Sequence, residues 1–251
     1  MSKTRLYDTL ILFLTLLITV GIPFELFIKK EIVVLILRFI MNIAFIIFAI
    51  IFIKKHQMDK TPVLCKLHIK DLLYLPFIVI CFSNIIFLLI DKNVENGFNV
   101  SLFIINVIYM LSVVIAEEIV FRYAFLNGLR YLKPFKCIFF SALIFGLTHL
   151  VANFFNFDFV GGLIQGAYTF GIGLVCGLIY YYGRNIFYTI IFHFLFNVAN
   201  SVLFAMLYVN DYPLSFYLVN GIIAVIFILY GFLVYYLNNK NNDSLSDDGQ
   251  L

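Results

Sequence analysis

Apolar blocks recur along this chain, and a block of about 20 residues is what a helix needs to cross a bilayer's hydrocarbon core. Eight such blocks can be read, at 7–28, 33–53, 72–90, 98–126, 137–151, 161–182, 186–209 and 214–237. The composition excludes a water-soluble fold of this size. The chain is 63% hydrophobic and 12% charged, with a mean hydropathy of +1.03, whereas a soluble domain is about half apolar and a quarter charged. Too little polar surface is available to clothe it in water. The fourth block is too long to cross upright and the fifth is short, so eight helices are expected, with seven as the main alternative. The first block follows Lys3 and Arg5 as a signal peptide would. It has no small-x-small cleavage site before Lys29 and Lys30 and reads as a retained anchor. The expected fold is an all-α polytopic membrane protein. A single transmembrane helical domain covers 1–237, with a motif-bearing core at about 98–209, and the polar, acidic tail 238–251 is expected to be disordered.

Basic residues set the orientation. With the N-terminus in the cytoplasm, twelve fall on the inside: Lys3, Arg5, Lys54, Lys55, Lys60, Lys66, Lys70, Arg130, Lys133, Lys136, Arg184 and Lys240. Only Lys29, Lys30 and Lys92 fall outside, and Arg38 and Arg122 lie within spans. Both termini are therefore expected to be cytoplasmic. A net charge of +3, scattered between apolar blocks, does not suit nucleic acid. Cys65, Cys81, Cys137 and Cys176 form no CxxC pair and read as packed, reduced thiols. Gly162, Gly166, Gly173 and Gly177 give two GxxxG spacings, which close helix packing explains without chemistry. Heavy use of Lys, Asn, Ile and Phe, with Lys outnumbering Arg, suggests an AT-rich bacterial genome and hence a bacterial plasma membrane.

Ionisable groups at membrane depth cost about 2.5–3.5 kcal/mol each on insertion scales and default to functional hypotheses. Three clusters stand out: Glu117, Glu118 and Arg122 in the fourth block, Phe145-Gly146-Leu147-Thr148-His149 in the fifth, and His193 to Asn197 in the seventh. Glu118 and Arg122 are four apart on one helical face, in the favourable order for an ion pair. They read as a structural pair. Glu117 is turned by about 100° from Glu118 and has no partner at helical spacing, so it must meet another helix or water. His193 and Asn197 share one face and can form a donor ledge. Asn42, Asn84 and Asn106 read as helix–helix hydrogen-bonding groups.

Glu117-Glu118-x-x-x-Arg122, Phe145-x-x-x-His149 and His193-x-x-x-Asn197, in this order on late helices, resemble the CAAX-protease and bacteriocin-processing family, also called Abi. The resemblance covers about 111–201. It implies a glutamate-dependent intramembrane endopeptidase with no metal cofactor, acting in some bacteria in peptide maturation or bacteriocin self-immunity. It also implies roles for the residues: Glu117 and His149 activate water, and His193 and Asn197 hold the oxyanion.

Elementary chemistry allows the same assignment. Peptide hydrolysis needs a base for water and donors for the developing oxyanion. A desolvated, unpaired carboxylate suits the first task, and two donors one turn apart suit the second. No Ser nucleophile motif or HExxH is present. The alternatives are a zinc metalloprotease with Glu117, His149 and His193 as ligands, a non-catalytic membrane immunity or interaction protein, and a proton-coupled transporter. Expected partners are membrane lipid and a peptide or protein substrate, with no nucleic acid.

The twelve-to-three basic bias makes a topological prediction. Reporter fusions after Lys66 and at the C-terminus are expected to report cytoplasm, and one near Asn93 the outside. A C-terminus found outside means that a helix has been miscounted.

Overall fold

Hydrocarbon offers backbone N–H and C=O groups no partner, so a spanning chain must satisfy them internally. This chain does so with helices, and no strand occurs among the described residues. The structure, a computed structural model, describes residues 3–56, 58, 73–82, 99–154, 159–183, 185–202 and 214–247. Its helices are α1 (Lys3–Gly21), α2 (Glu31–Lys55), α3 (Leu75–Cys81) and α4 (Val100–Glu118, continuing as a π-helix over Ile119–Leu126). They are followed by α5 (Pro134–Phe154), α6 (Phe159–Gly183), α7 (Ile186–Asn197, then a π-helix over Val198–Val202) and α8 (Leu214–Asp247). Five are long and apolar enough to cross a membrane: Glu31–Lys55, Val100–Leu126, Pro134–Val151, Phe159–Gly183 and Leu218–Asn239. Tyr7–Gly21 and Ile186–Asn200 are shorter apolar helices. The protein is an all-α polytopic membrane protein. Its outer faces carry bare aliphatic side chains, such as Ile18 at 69%, Ile51 at 60% and Leu229 at 65% exposure, which lipid accepts and water would not.

Local sequence explains the boundaries. Glu31 in the first turn of α2 and Lys54 and Lys55 in its last complement the helix dipole. Asn99 and Asn185 cap α4 and α7, their side-chain oxygens accepting from the backbone N–H of Leu102 and Phe187 at 3.0 Å each. The short fifth block becomes a 21-residue helix because Pro134 starts it, giving about 31 Å at 1.5 Å per residue. Of the third expected span only the part within 73–82 is described, and 83–90 lies outside the described residues.

At the C-terminal end α8 runs as far as Asp247. Within it Asn238 Nδ2 donates to the Val234 carbonyl at 3.0 Å, and the Tyr182 hydroxyl donates to Asn239 Oδ1 at 2.9 Å. Residues 248–251 lie outside the described residues.

Small residues let the late helices approach closely. A Cβ on Gly146 of α5 would meet the Gly166 carbonyl oxygen of α6 at 2.8 Å, and one on Gly173 would lie 2.9 Å from Ala142 Cα. On the other side of α6, a Cβ on Gly171 would lie 2.8 Å from Phe227 Cβ of α8. α6 is thus wedged between α5 and α8. Farther off, Asn42 Nδ2 of α2 donates to Ser112 Oγ of α4 at 3.3 Å, while Asn106 Nδ2 donates to the Leu102 carbonyl of its own helix at 3.1 Å. Asn84 lies outside the described residues.

Gly173→Val is expected to lower the melting temperature in detergent by the equivalent of about 1–3 kcal/mol, since Ala142 backbone cannot yield. Gly221→Ala is the control. A Cβ there meets nothing within 4 Å, and alanine gains up to about 1 kcal/mol in helix propensity. Equal destabilisation by both would refute the wedge.

Candidate active site

The site is assembled where two helices leave regular geometry. α4 turns π-helical at Ile119, directly after Glu118, and α7 does so at Val198, directly after Asn197. Such segments shift the hydrogen-bond register and concentrate at functional sites. α5 docks on the first of them through side chains spaced four apart, which share a face. Ser141 Oγ donates to the Phe121 carbonyl at 3.1 Å, and the buried free thiol of Cys137 donates to the Leu126 carbonyl at 3.2 Å. The same four-residue step continues to Phe145 and His149.

Glu118 and Arg122 are fully buried, with Glu118 Oε2 3.1 Å from Arg122 Nε. The contact is a close ion pair rather than an aligned hydrogen bond, and among the described residues Nη1 and Nη2 have no hydrogen-bond partner. The guanidinium is held instead over the Phe145 ring, 4.9 Å from its centroid, a favourable contact for a desolvated cation. The second carboxylate oxygen of Glu118 reaches across to α7, where His193 Nδ1 donates to Oε1 at 3.0 Å. One turn on, Asn197 Nδ2 donates to His193 Nε2 at 3.2 Å and lies 3.5 Å from Met110 Sδ. Arg122, Glu118, His193 and Asn197 thus form one continuous polar chain between two helices.

Glu117 faces another way. Its Oε2 lies 3.7 Å from His193 Nε2, and its Oε1 lies 3.8 Å from His149 Nε2. The other ring nitrogen of His149, Nδ1, donates to the Phe145 carbonyl at 3.0 Å. A carbonyl only accepts, so Nδ1 carries the proton and Nε2 of the neutral ring is an acceptor. The side chains of Glu117 and His149 are 11% and 22% accessible, against 0% for Glu118 and Arg122. Accessibility therefore enters on the Glu117–His149 side.

Phe145 is the residue whose role the sequence did not disclose. Its ring meets His149 edge-on at 4.7 Å, His193 at 5.6 Å and Phe121 at 4.8 Å, besides carrying Arg122. The signal available was its place one helical turn before His149. Met110, beside Asn197, had no sequence signal at all. Among the described residues, no group of three or more His, Cys, Asp or Glu side chains is spaced to hold a metal ion.

Residues 99–199 match a protein-family model described as type II CAAX prenyl endopeptidase Rce1-like. This stretch is thus similar to the CAAX protease family. It takes in α4 to α7 apart from its last few residues, and every site residue above. No curated protein and no solved structure matches the chain. Family and apolar helices together support an integral membrane protein carrying an intramembrane protease of the CAAX type, a hydrolase.

The buried pair makes a stability prediction. Removing one partner strands the other charge, at about 3–5 kcal/mol for a fully buried pair. Glu118→Ala and Arg122→Ala are each expected to lower yield and melting temperature, and the double change to cost less than the sum of the two. Additive losses in the double variant would refute the pairing.

Proposed function

We propose that this protein is a glutamate-dependent intramembrane endopeptidase that hydrolyses a peptide bond in a membrane-associated peptide or protein. The observation that carries the reading is the setting of Glu117. Its two oxygens face the Nε2 atoms of His149 and His193 from two other helices, on the more accessible side of the site. Glu117 Oε1 and His149 Nε2 are both acceptors, and a water molecule has two protons to donate. A water held by both is oriented for attack and loses its proton to Glu117 as it attacks the carbonyl carbon. Separations of 3.7–3.8 Å are loose, as is common before substrate tightens such contacts. The developing oxyanion falls to His193 and Asn197: Asn197 through Nδ2–H, and His193 once its Nε2 carries a proton.

The reaction so written uses no metal, and the substrate is drawn from the membrane. In a bacterial plasma membrane such an activity suits peptide maturation or bacteriocin self-immunity. The second reading, zinc held by Glu117, His149 and His193, has the right donor types, and the same experiment addresses it.

Glu117→Gln keeps shape and hydrogen bonding but loses the base. The variant is expected to insert and purify normally and to lose about 10²–10⁴-fold in kcat. Chelators are expected to leave wild-type cleavage unchanged in a purified assay. Activity lost to a chelator and restored by zinc would replace this mechanism with the metal one.

A further inference from the structure

We infer that Glu118 is a positioning residue for catalysis. It fixes the proton on His193 Nδ1, so that Nε2 rests as a proton acceptor and becomes an oxyanion donor only as the reaction proceeds. The inference rests on the reading of Glu117 as base and adds a role for the neighbouring carboxylate, which an ion pair with Arg122 alone would not require.

The argument is a proton count. Glu118 is fully buried with Arg122 Nε 3.1 Å from one oxygen, so it is ionised and can only accept. The hydrogen at the 3.0 Å contact with His193 must therefore sit on Nδ1. At Nε2 the neighbour is the Asn197 amide nitrogen at 3.2 Å, which can only donate. A ring donating at Nδ1 and accepting at Nε2 is neutral. It cannot at rest donate to an oxyanion from Nε2, although that nitrogen is the one lying 3.7 Å from Glu117.

The difficulty resolves if the proton arrives with the charge it has to stabilise. Water gives a proton to Glu117, and its oxygen bonds to the carbonyl carbon, leaving the carbonyl oxygen negative. The proton passes from Glu117 Oε2 to His193 Nε2. Glu117 is again ionised, and the imidazolium is held between the Glu118 carboxylate and the new oxyanion. Net charge is unchanged by the transfer. When the intermediate collapses, the C–N bond breaks, the carbonyl re-forms and the proton goes to the leaving nitrogen. The groups facing the ring are Glu117 and Glu118 from α4, the Phe145 ring from α5 and Asn197 from its own helix. Of these, Glu118 is the one whose fixed negative charge lies on the Nδ1 side. Its task is the one a buried carboxylate performs for a catalytic histidine generally, setting the tautomer and stabilising the imidazolium that forms.

A double replacement separates this role from the ion pair. Glu118→Met with Arg122→Met removes both charges together, and apolar replacement of a whole buried pair is often neutral for stability. The expected result is a melting temperature near wild type, KM little changed and kcat down by about 10³-fold or more, as when the orienting carboxylate of a catalytic histidine is lost elsewhere. Side-chain ¹⁵N spectra of His193 should show protonated Nδ1 in wild type and a mixture of tautomers in the double variant. Wild-type kcat in the double variant, or an unchanged tautomer, would overturn the proposal. Should the double variant not fold, Glu118→Gln decides. It leaves an acceptor for Nδ1–H without the charge, so kcat is expected to fall at least about 10-fold, and unchanged kcat would overturn the proposal. Glu117→Gln is run beside them. If it stays active, the reading of Glu117 fails, an outcome distinct from any result at Glu118.

Discussion

An ion in a low-dielectric interior must be paired or it does not stay ionised. This constraint governs the centre of the protein. Arg122 cannot shed its charge, so its full burial obliges a carboxylate and an aromatic face to be nearby, and Glu118 and Phe145 supply them. Glu118 in turn has a second oxygen to satisfy, and it is His193 on α7 that does so. The chain of obligations ends at Asn197. Each group is held by the need of the one before it, and this fixes the constellation.

Side chains are held in place only where helices come close, and glycine provides this among α5, α6 and α8. The Gly146–Gly166 and Gly173–Ala142 approaches clamp α5 to α6, and Gly171 lets α8 press on the far side of α6. Lipid tails are as apolar as leucine, so helices gain little by hiding hydrophobic side chains from them; tight packing and interhelical hydrogen bonds hold the bundle instead. The π-helical turns complement the clamp. They expose carbonyls at Phe121 and Leu126 that Ser141 and Cys137 of α5 then meet, so the irregularity in α4 becomes the surface on which α5 is seated. A π turn left unanswered in hydrocarbon would cost more than it gains.

Glu117 and Glu118 are chain neighbours with opposite circumstances. Glu118 is closed in by a cation on its own helix and an imidazole on another. Glu117 has imidazoles facing each oxygen at distances too long for a hydrogen bond, and its side chain retains some accessibility. A carboxylate held stiffly by its neighbours makes a good support, and one held loosely beside acceptors makes a good base. The helical turn of about 100° per residue is what allows adjacent residues to meet such different surroundings.

The all-α polytopic architecture and the exclusion of a soluble fold follow from block length and composition, since the cost of leaving backbone groups bare in hydrocarbon is the same in any sequence. Pairs within a helix were legible too, because Glu118 with Arg122 and His193 with Asn197 need only the helical repeat. The end of the last helix was less legible, because a helix already begun adds residues at little cost, and α8 runs on to Asp247. Contacts between helices were decided only by tertiary structure. Whether Glu118 meets His193, 75 positions away, depends on how α4 and α7 are rotated about their axes, and no spacing within either helix encodes that angle. It is set by how the helices pack on one another, as where α5 docks on the π turn of α4. Residue spacing could therefore nominate the polar groups, and only packing could assign each of them a partner.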